Sequence, residues 1–455
     1  MFFRMLGILC LSIIISFSSF AQDEVRIKPR SLGQEFNTNH SGPNDQSYTN
    51  PEKVDKPSGA ITLRQAISLA LIRNPELRSY SWEVRAREAQ ALQAGLPPNP
   101  EIGLEIEDFG GTGSVEGFDG TETTILLSQL IPLGGKLSKR RKVEELNTEL
   151  AEWDYETTRL NVLTKTVLAY LNVLAAQERY TLQSELFDLA ERVHATVSER
   201  AQEGEISPIQ GKMSQVALSR TKIQLEQSKR GLESSKRILS SIWNSNTTDF
   251  REVKGDFFSI TPIPTFEDLQ DLLSENPVIA RWSTEIEQRE ATIKLEKANA
   301  IPDPFVSGGY RHISELNDNA FVVGLSIPIP VLNRNQGAIA EARSRLKKAI
   351  EEQDNALVVV NSALAQAFQT LSASYEEAIL LKDKVLPEAK NAYELTFEGY
   401  KEGEFPLLNV LVAQKAVFDT KLQYIDALLA YHTSRAKVER LIGSPIEDVK
   451  EMNND

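Results

Sequence analysis

The sequence predicts a mainly α-helical protein with a small membrane β part, built from a duplicated unit of helix, two strands, very long helix and helix. Three observations indicate this fold. Four landmark motifs recur in the same order about 200 residues apart. One segment of 68 residues, 136–203, contains neither Gly nor Pro, and four short segments have the character of strands. A helix of that length has no place in a globular domain.

The N-terminus, residues 1–21, has the features of a secretory signal peptide. Arg4 supplies a positive charge, an apolar run follows, and Ser19-Phe20-Ala21 fits a small-x-small cleavage site. The alternative, a membrane anchor, is disfavoured because the apolar run is too short to span a bilayer as a helix. Cys10 is the only cysteine, and Leu9 before it argues against a lipid anchor. We therefore expect an exported protein whose fold does not depend on disulfides.

The composition excludes some classes of function. The 50 Lys and Arg against 64 Asp and Glu give a net charge of −14, which opposes nucleic-acid binding. Residues 22–60 are polar and rich in Pro, Asn and Ser, and we expect a flexible leader there. Beyond the signal peptide we expect no transmembrane helix, so a crossing of the membrane would have to use β-strands.

The rest of the chain divides into two repeats, 61–250 and 251–455. The shared landmarks are an Asn-Pro helix start, a Pro-x-Pro helix end, an Ile-Pro strand end and a Glu-Gly-Glu turn, which begin at Asn74 and Asn276, Pro98 and Pro302, Ile131 and Ile327, and Glu203 and Glu402. A match of all four in order indicates an internal duplication.

The longest helix of each repeat is predicted from the spacing of its apolar residues. In the first repeat, apolar residues recur at steps of three and four within three groups, Leu146 to Trp153, Leu160 to Leu174 and Leu182 to Val193, which predicts one buried stripe. A helix over the whole segment 136–203 would be roughly 100 Å long. We expect a matching helix from Ala338 onward, with a kink at Pro387.

Two turns, 203–208 and 402–406, interrupt the helical sequence at matching places. Gly204 and Gly403 suit the left-handed conformation that ends a helix. Ser207 can cap the next helix and Pro208 suits its first turn, a position that we also expect for Pro406. Each turn is therefore predicted to be the tip of a helical hairpin.

The four predicted strands lie at about 100–110, 121–131, 304–312 and 319–329. In the first, Ile102, Leu104 and Ile106 alternate with acidic residues, Glu101, Glu105 and Glu107. Strands of this length could form a small water-soluble sheet, but the secretion signal and the acidic-apolar alternation favour a tilted crossing of a bilayer. Four strands cannot close a barrel, so two or three copies would have to combine.

Across nearly all of the mature chain, the sequence resembles the TolC-like outer-membrane efflux proteins. The resemblance is carried by the duplication and by "NPEL", "NPVI", "LPPNPEI", "IPDPFV" and "YKEGEFPLLNVLVAQ". Two further segments, "QLIPLGGKLSKRRKV" and "LSIPIPVLNRNQG", are more similar to the CzcC-type branch, which is associated with heavy-metal efflux. The resemblance implies a homotrimer in the outer membrane, with a twelve-stranded β-barrel continued by a long periplasmic α-helical barrel. It further implies a passive exit duct for a periplasmic adaptor and an inner-membrane pump of the RND type.

The resemblance also implies roles for particular residues. The hairpin tips would contact the adaptor through Gly204, Glu205, Ser207, Gly403, Glu404, Phe405 and Pro406. The periplasmic constriction would be lined by Gln210, Asn409 and Val412, none of which is acidic although the family has an acidic ring there. The acidic residues Glu101, Glu105 and Glu107 would face the barrel lumen.

The sequence carries no recognisable catalytic or metal-binding pattern. The four histidines, His40, His194, His312 and His432, are far apart, and no spacing of His, Asp and Glu indicates a metal site. The segment Gly134–Lys136 lacks the remainder of a phosphate loop and suits a strand-to-helix turn. We expect no enzyme activity and no cofactor. Two alternatives to an efflux duct remain, a type I protein secretion duct and a periplasmic coiled-coil scaffold without a pore.

Overall fold

The computed structural model describes residues 59–446, so the predicted signal peptide, nearly all of the leader and the last nine residues lie outside it. The described part is mainly helical. Its helices are α1 Leu63–Arg73, α2 Pro75–Ala94, α3 Lys136–Gln202, α4 Pro208–Ile242, α5 Phe266–Gln270, α6 Pro277–Asn299, α7 Gln336–Leu380, α8 Leu386–Lys401 and α9 Leu407–Ile442. Its strands are β1 Ala60–Thr62, β2 Glu101–Glu107, β3 Glu122–Leu130, β4 Glu252–Lys254, β5 Phe305–Ile313 and β6 Asp318–Ser326.

The bounds of the four longer strands differ from the predicted ones by one to three residues. The largest differences are at the ends of β2 and β6, and β6 ends at Ser326 rather than near 329. Pro328 and Pro330 follow β6, and a proline has no N–H to donate to a sheet ladder. In both repeats, two strands precede the long helix, which is the order that the sequence predicts.

The two long helices follow the prediction in extent. Helix α3 has 67 residues without a break, a length of roughly 100 Å. In the second repeat α7 passes into α8 through a π-helical turn, Leu381–Val385, immediately before Pro387. A proline clashes with the carbonyl four residues earlier, and the wider π turn makes room for its ring. A π-helical turn thus lies where the sequence predicts a kink.

The prediction of one buried stripe on α3 is wrong in its detail. Val162, Thr166 and Tyr170 are fully buried, whereas Leu160 and Leu163 on the predicted stripe are only half-buried. The reason is that α3 packs against α2, α4, α6 and α9, so that several of its sides are covered.

A small core forms midway along α3, where short elements wrap around the long helices. Strands β1 and β4 pair in parallel there. The Tyr170 hydroxyl lies 2.9 Å from the Ile61 carbonyl oxygen and 2.7 Å from that of Lys254, so it joins both strands to α3. Aromatic side chains, including Trp243 and Phe257, fill the surrounding space.

The two Asn-Pro landmarks make the same connection in each repeat. Asn74 caps α2 by accepting from the Leu77 N–H, and its amide donates to the Ile242 carbonyl at the end of α4 (2.8 Å). Asn276 caps α6 through the Val278 N–H, and its amide donates to the Leu441 carbonyl near the end of α9 (2.7 Å). One side chain thus satisfies orphan groups at the start of one helix and the end of another.

The continuous helix Gln336–Lys401 contains a window that is long and apolar enough to cross a membrane, by length and composition alone. The expectation that the chain has no transmembrane helix beyond the signal peptide stays a prediction. Only 17% of that window is buried within the protomer. Helices of soluble proteins can share this length and composition, which alone do not assign α7 to a membrane.

We expect Asn276→Ala to lower the free energy of unfolding by about 2–3 kcal/mol, because it removes a helix cap and leaves the Leu441 carbonyl without its donor. The measurement is the denaturation midpoint of the purified protein in detergent. Ser283→Ala is the matched control, since the Ser283 hydroxyl donates within α6, to the Ala280 carbonyl. Equal midpoints for both variants would contradict the assigned role.

Candidate functional site

The sheet of β2, β3, β5 and β6 has two faces of opposite chemistry. The strands are antiparallel in the order β2-β3-β5-β6. Residues directly opposite each other point to the same side, so the register assigns every side chain to a face. Leu104 is paired with Ile125, which in turn pairs with Tyr310 and then Phe321. The predicted apolar face of β2 therefore continues across all four strands.

The apolar face is uncovered in the protomer. Ile102, Phe321 and Val323 expose 80%, 89% and 83% of their surface. Large apolar side chains exposed side by side indicate a surface that meets lipid or another protein. An outward apolar band is the signature of a strand that crosses a bilayer.

The edges of the sheet are open. In the described residues β2 pairs only with β3, and β6 pairs only with β5. An unpaired strand edge is costly in lipid, where water cannot satisfy its N–H and C=O groups. In a membrane, the sheet can therefore exist only as one part of a larger closed set of strands.

The opposite face is acidic and contains a residue that the sequence prediction missed. Glu101, Glu105 and Glu107 share this face, and Glu107 pairs in register with Glu122. Arg311 of β5 donates to Glu122 (2.5 Å), Glu107 (3.2 Å) and the Thr124 hydroxyl (2.9 Å). In the sequence, the only sign of this contact is a single arginine in a strand whose apolar and polar residues alternate weakly. The strand register is what brings that arginine to these carboxylates.

The junction between the sheet and α3 is a turn held by glycines and an ion pair. Gly134 and Gly135 both have positive φ, +69° and +67°. The Lys136 ammonium is buried and binds the Asp303 carboxylate (2.6 Å) and the Ile301 carbonyl (2.5 Å). Burial by itself would raise the pKa of Asp303, but hydrogen bonds from Lys136 and the Leu133 N–H, with the charge of Lys136, outweigh it and lower that pKa. The interpretation of Gly134–Lys136 as a strand-to-helix turn is confirmed.

The two predicted hairpin tips have the same backbone. Gly204 and Gly403 have φ of +79° and +82°. The residue after each glycine donates its backbone N–H to the carbonyl five residues earlier. Glu205 donates to Arg200 (3.0 Å), and Glu404 donates to Gly399 (2.8 Å). This is the left-handed closure that the glycines predict.

The side chains of the tips differ. Ser207 caps α4 through the Ile209 N–H, as predicted. Pro406 stands at the capping position of α9 and makes no side-chain bond, which corrects its predicted place in the first turn. A Cβ on Gly399 would lie 2.4 Å from the ring of Phe405, so this glycine is needed for the ring to pack against the helix.

A hydrogen bond between the helix ends that precede the two tips was not predicted. The Arg200 guanidinium, at the end of α3, forms an ion pair with Glu205 in the first tip (3.0 Å). It also donates a hydrogen bond to the Tyr400 hydroxyl at the end of α8 (3.3 Å). No sequence spacing signals this contact, because its partners are 200 residues apart.

The three predicted constriction residues lie one to two turns inside the tips. Gln210 is half-buried in the first turn of α4, while Asn409 and Val412 are exposed on α9. The structure places them at one end of the molecule, with a mixed polar and apolar character.

Each of the three described histidines makes contacts at a different place in the fold. His194 contacts the Ser214 hydroxyl (2.8 Å), His312 contacts Asn319 (3.0 Å), and His432 contacts the Phe257 carbonyl (2.9 Å). Burial lowers the pKa of His432. Within residues 59–446 no group of three or more His, Cys, Asp or Glu is arranged to hold a metal ion, and His40 lies outside the described residues.

Comparison with known proteins identifies the class of protein that this fold defines. The family model described as "Outer membrane efflux protein" matches residues 66–245 and 269–444. These ranges are more than half of the chain, which therefore belongs to the outer membrane efflux protein family. The protein is an outer-membrane efflux channel, and the family forms trimeric channels of tripartite efflux systems.

Particular relatives extend this result. The cobalt-zinc-cadmium resistance protein CzcC of Cupriavidus metallidurans is 30% identical over 386 residues, which are 85% of this chain and 91% of that protein. The nickel-cobalt-cadmium resistance protein NccC of Alcaligenes xylosoxydans xylosoxydans is 24% identical over 323 residues, 71% of this chain and 72% of that protein. The crystal structure of the Campylobacter jejuni CmeC outer membrane channel has a TM-score of 0.70 at 18% identity and covers 86% of this chain and 88% of that one. The predicted fold class and resemblance are confirmed, and a channel is favoured over a scaffold without a pore.

We expect Lys136→Met to destabilise the protein by about 3 kcal/mol at pH 7, because it leaves the Asp303 carboxylate partly buried without its partner. Since the pKa of Asp303 is lowered in the folded protein, the stabilisation is present at neutral pH and is lost as the pH falls through that lowered pKa. The difference between wild type and variant should therefore shrink in acid. Lys142→Met is the control, because Lys142 pairs with Glu287 at the surface. A pH-independent difference in denaturation midpoint would contradict this account.

Proposed function

We propose that this protein is the exit channel of a heavy-metal cation efflux system, working as a homotrimer with a periplasmic adaptor and an RND-type inner-membrane pump. The observation that carries the proposal is the match to a cobalt-zinc-cadmium resistance protein at 30% identity along 91% of that protein. The channel is passive, and the pump would supply the energy and the choice of substrate.

The trimer is supported by the open sheet and by the uncovered helix faces. Three copies of four strands would give twelve, enough to close a barrel with the apolar face toward lipid. Along α4, Ile209, Met213, Val216 and Ile223 are exposed at steps of four, three and seven. This spacing forms a stripe that would pack against a helix of a neighbouring copy.

The acidic face of the sheet supports a cationic substrate. With the apolar face in lipid, Glu101, Glu105 and Glu107 would face the lumen, where rings of carboxylates favour cations. The tunnel would narrow at the other end between Gln210, Asn409 and Val412. None of these is a strong metal ligand, which suits a duct that releases its cargo.

The adaptor is proposed to bind the hairpin tips. Glu205, Glu404 and Phe405 are exposed there, and the positive-φ glycines fix the shape that they present. The predicted signal peptide, cleaved after Ala21, is the route by which the chain would reach the outer membrane.

We expect disruption of the gene in its host to increase sensitivity to cobalt, zinc and cadmium several-fold, with restoration by the wild-type gene. The measurement is the minimal inhibitory concentration of each metal beside that of organic toxicants. Unchanged metal tolerance together with increased sensitivity to organic compounds would contradict the proposed substrate class.

We expect the double variant Gly204→Val, Gly403→Val to reduce export and adaptor cross-linking together while trimer levels in the outer membrane stay normal. A β-branched residue in the left-handed region costs about 1–2 kcal/mol, which strains the tips but not the distant sheet. Gly231→Val is the matched control, since Gly231 lies mid-helix in open space without positive φ. If export and cross-linking in the double variant stay at wild-type levels, the tips are not the contact site, and the adaptor binds along the sides of the helices.

A further inference from the structure

Arg311 is the only basic residue on the acidic face of the four described strands. That face carries five carboxylates, from Glu101, Glu105, Glu107, Glu122 and Asp318. The register places Arg311 level with Glu105 and Thr124, and one step from the row of Glu107, Glu122 and Asp318. Four of the five carboxylates thus lie in the two rows nearest the strand-strand turns, and Arg311 lies among them.

These two rows are at the end of the sheet remote from the helices. The chain enters the sheet from α2 and α6, and leaves it for α3 and α7, at the other end, where Glu101 lies. In an outer-membrane channel with periplasmic helices, the remote end is the outer mouth. In these two rows each protomer would contribute four carboxylates and one guanidinium, a net charge of −4 + 1 = −3. The adjoining turns, 108–121 and 314–317, add four more carboxylates and no Lys or Arg at this end, from Asp108, Glu116, Asp119 and Glu315.

The guanidinium of Arg311 is held in place by residues of two neighbouring strands. It bonds to Glu107 on β2, and to Glu122 and Thr124 on β3, and Thr124 is only 1% exposed beneath it. Glu105 and Asp318 on the same face are exposed. Two carboxylates are therefore offset by a fixed positive charge, and the other two remain open to solvent.

We infer that Arg311 sets the charge selectivity of the outer mouth, by limiting how strongly it prefers cations. This inference rests on the proposed trimer with the acidic face toward the lumen. In three copies these two rows would carry a charge of 3 × (−3) = −9, and without Arg311 it would be 3 × (−4) = −12, in addition to the charge of the turns. Conduction requires sites weak enough for ions to leave, so a mouth that held divalent cations too strongly would slow their exit.

The test is ion selectivity of purified trimers in planar lipid bilayers, from the reversal potential in a KCl gradient. Arg311→Gln is expected to raise the cation-to-anion permeability ratio about two- to threefold at roughly 0.1 M salt, where screening weakens but does not remove the added field. Arg311→Lys keeps the charge but loses the forked hydrogen bonds, and it should leave the ratio near wild type. A purely structural role for Arg311 would instead make both variants assemble poorly without any shift in ratio.

The double variant Arg311→Gln, Glu122→Gln restores the net charge and should return the ratio toward wild type. Channels of Arg311→Gln that conduct with an unchanged reversal potential would overturn the inference. If that variant does not assemble, Glu105→Gln decides, because it removes one carboxylate outside the Arg311 network and must lower the ratio; no change there overturns the inference as well. Wild-type trimers that do not conduct at all would instead contradict the proposed function.

Discussion

The structure depends on the need to pair every backbone N–H and C=O group that meets lipid. One protomer supplies only four strands to the described sheet and leaves an edge open on β2 and on β6. Such edges are not tolerated in a bilayer, so the sheet can be stable there only as part of a closed barrel. Membership of a family of outer-membrane channels agrees with this constraint. In the proposed trimer the exposed apolar face of the sheet would meet lipid, and the exposed stripe on α4 would pack against a neighbouring copy.

The two repeats share backbone conformations more closely than they share side chains. Both Asn-Pro starts make the same cap and the same bond to a distant helix end. Both tips close through a glycine with positive φ. Yet one tip carries an Arg200–Glu205 ion pair, and the other packs Phe405 on Gly399. A ring of tips in the proposed trimer would therefore alternate two chemistries on one backbone shape, which gives an adaptor two kinds of site to distinguish.

Charge is arranged differently at the two ends of the sheet. At the helix end, the buried ammonium of Lys136 is paired with Asp303, which holds the strands to the long helix. At the remote end, Arg311 is shared between carboxylates on a face that stays partly open. The first arrangement serves the fold, because removal of either partner leaves a charge without its counterion in a poorly solvated place. The second leaves Glu105 and Asp318 exposed on the face that we propose lines the lumen.

The sequence alone determined the fold class, the duplication, the extent of the long helices and the faces of β2. Those features depend on local periodicity and on Gly and Pro, whose backbone preferences act wherever they occur. The tertiary structure decided the rest: that α3 is covered on several sides, that Tyr170 joins β1 to β4, and that Arg311 reaches Glu107 and Glu122. Such contacts join residues that are far apart in the sequence, 84 positions for Tyr170 and Lys254. Their geometry follows from strand register and helix packing, which no local pattern encodes.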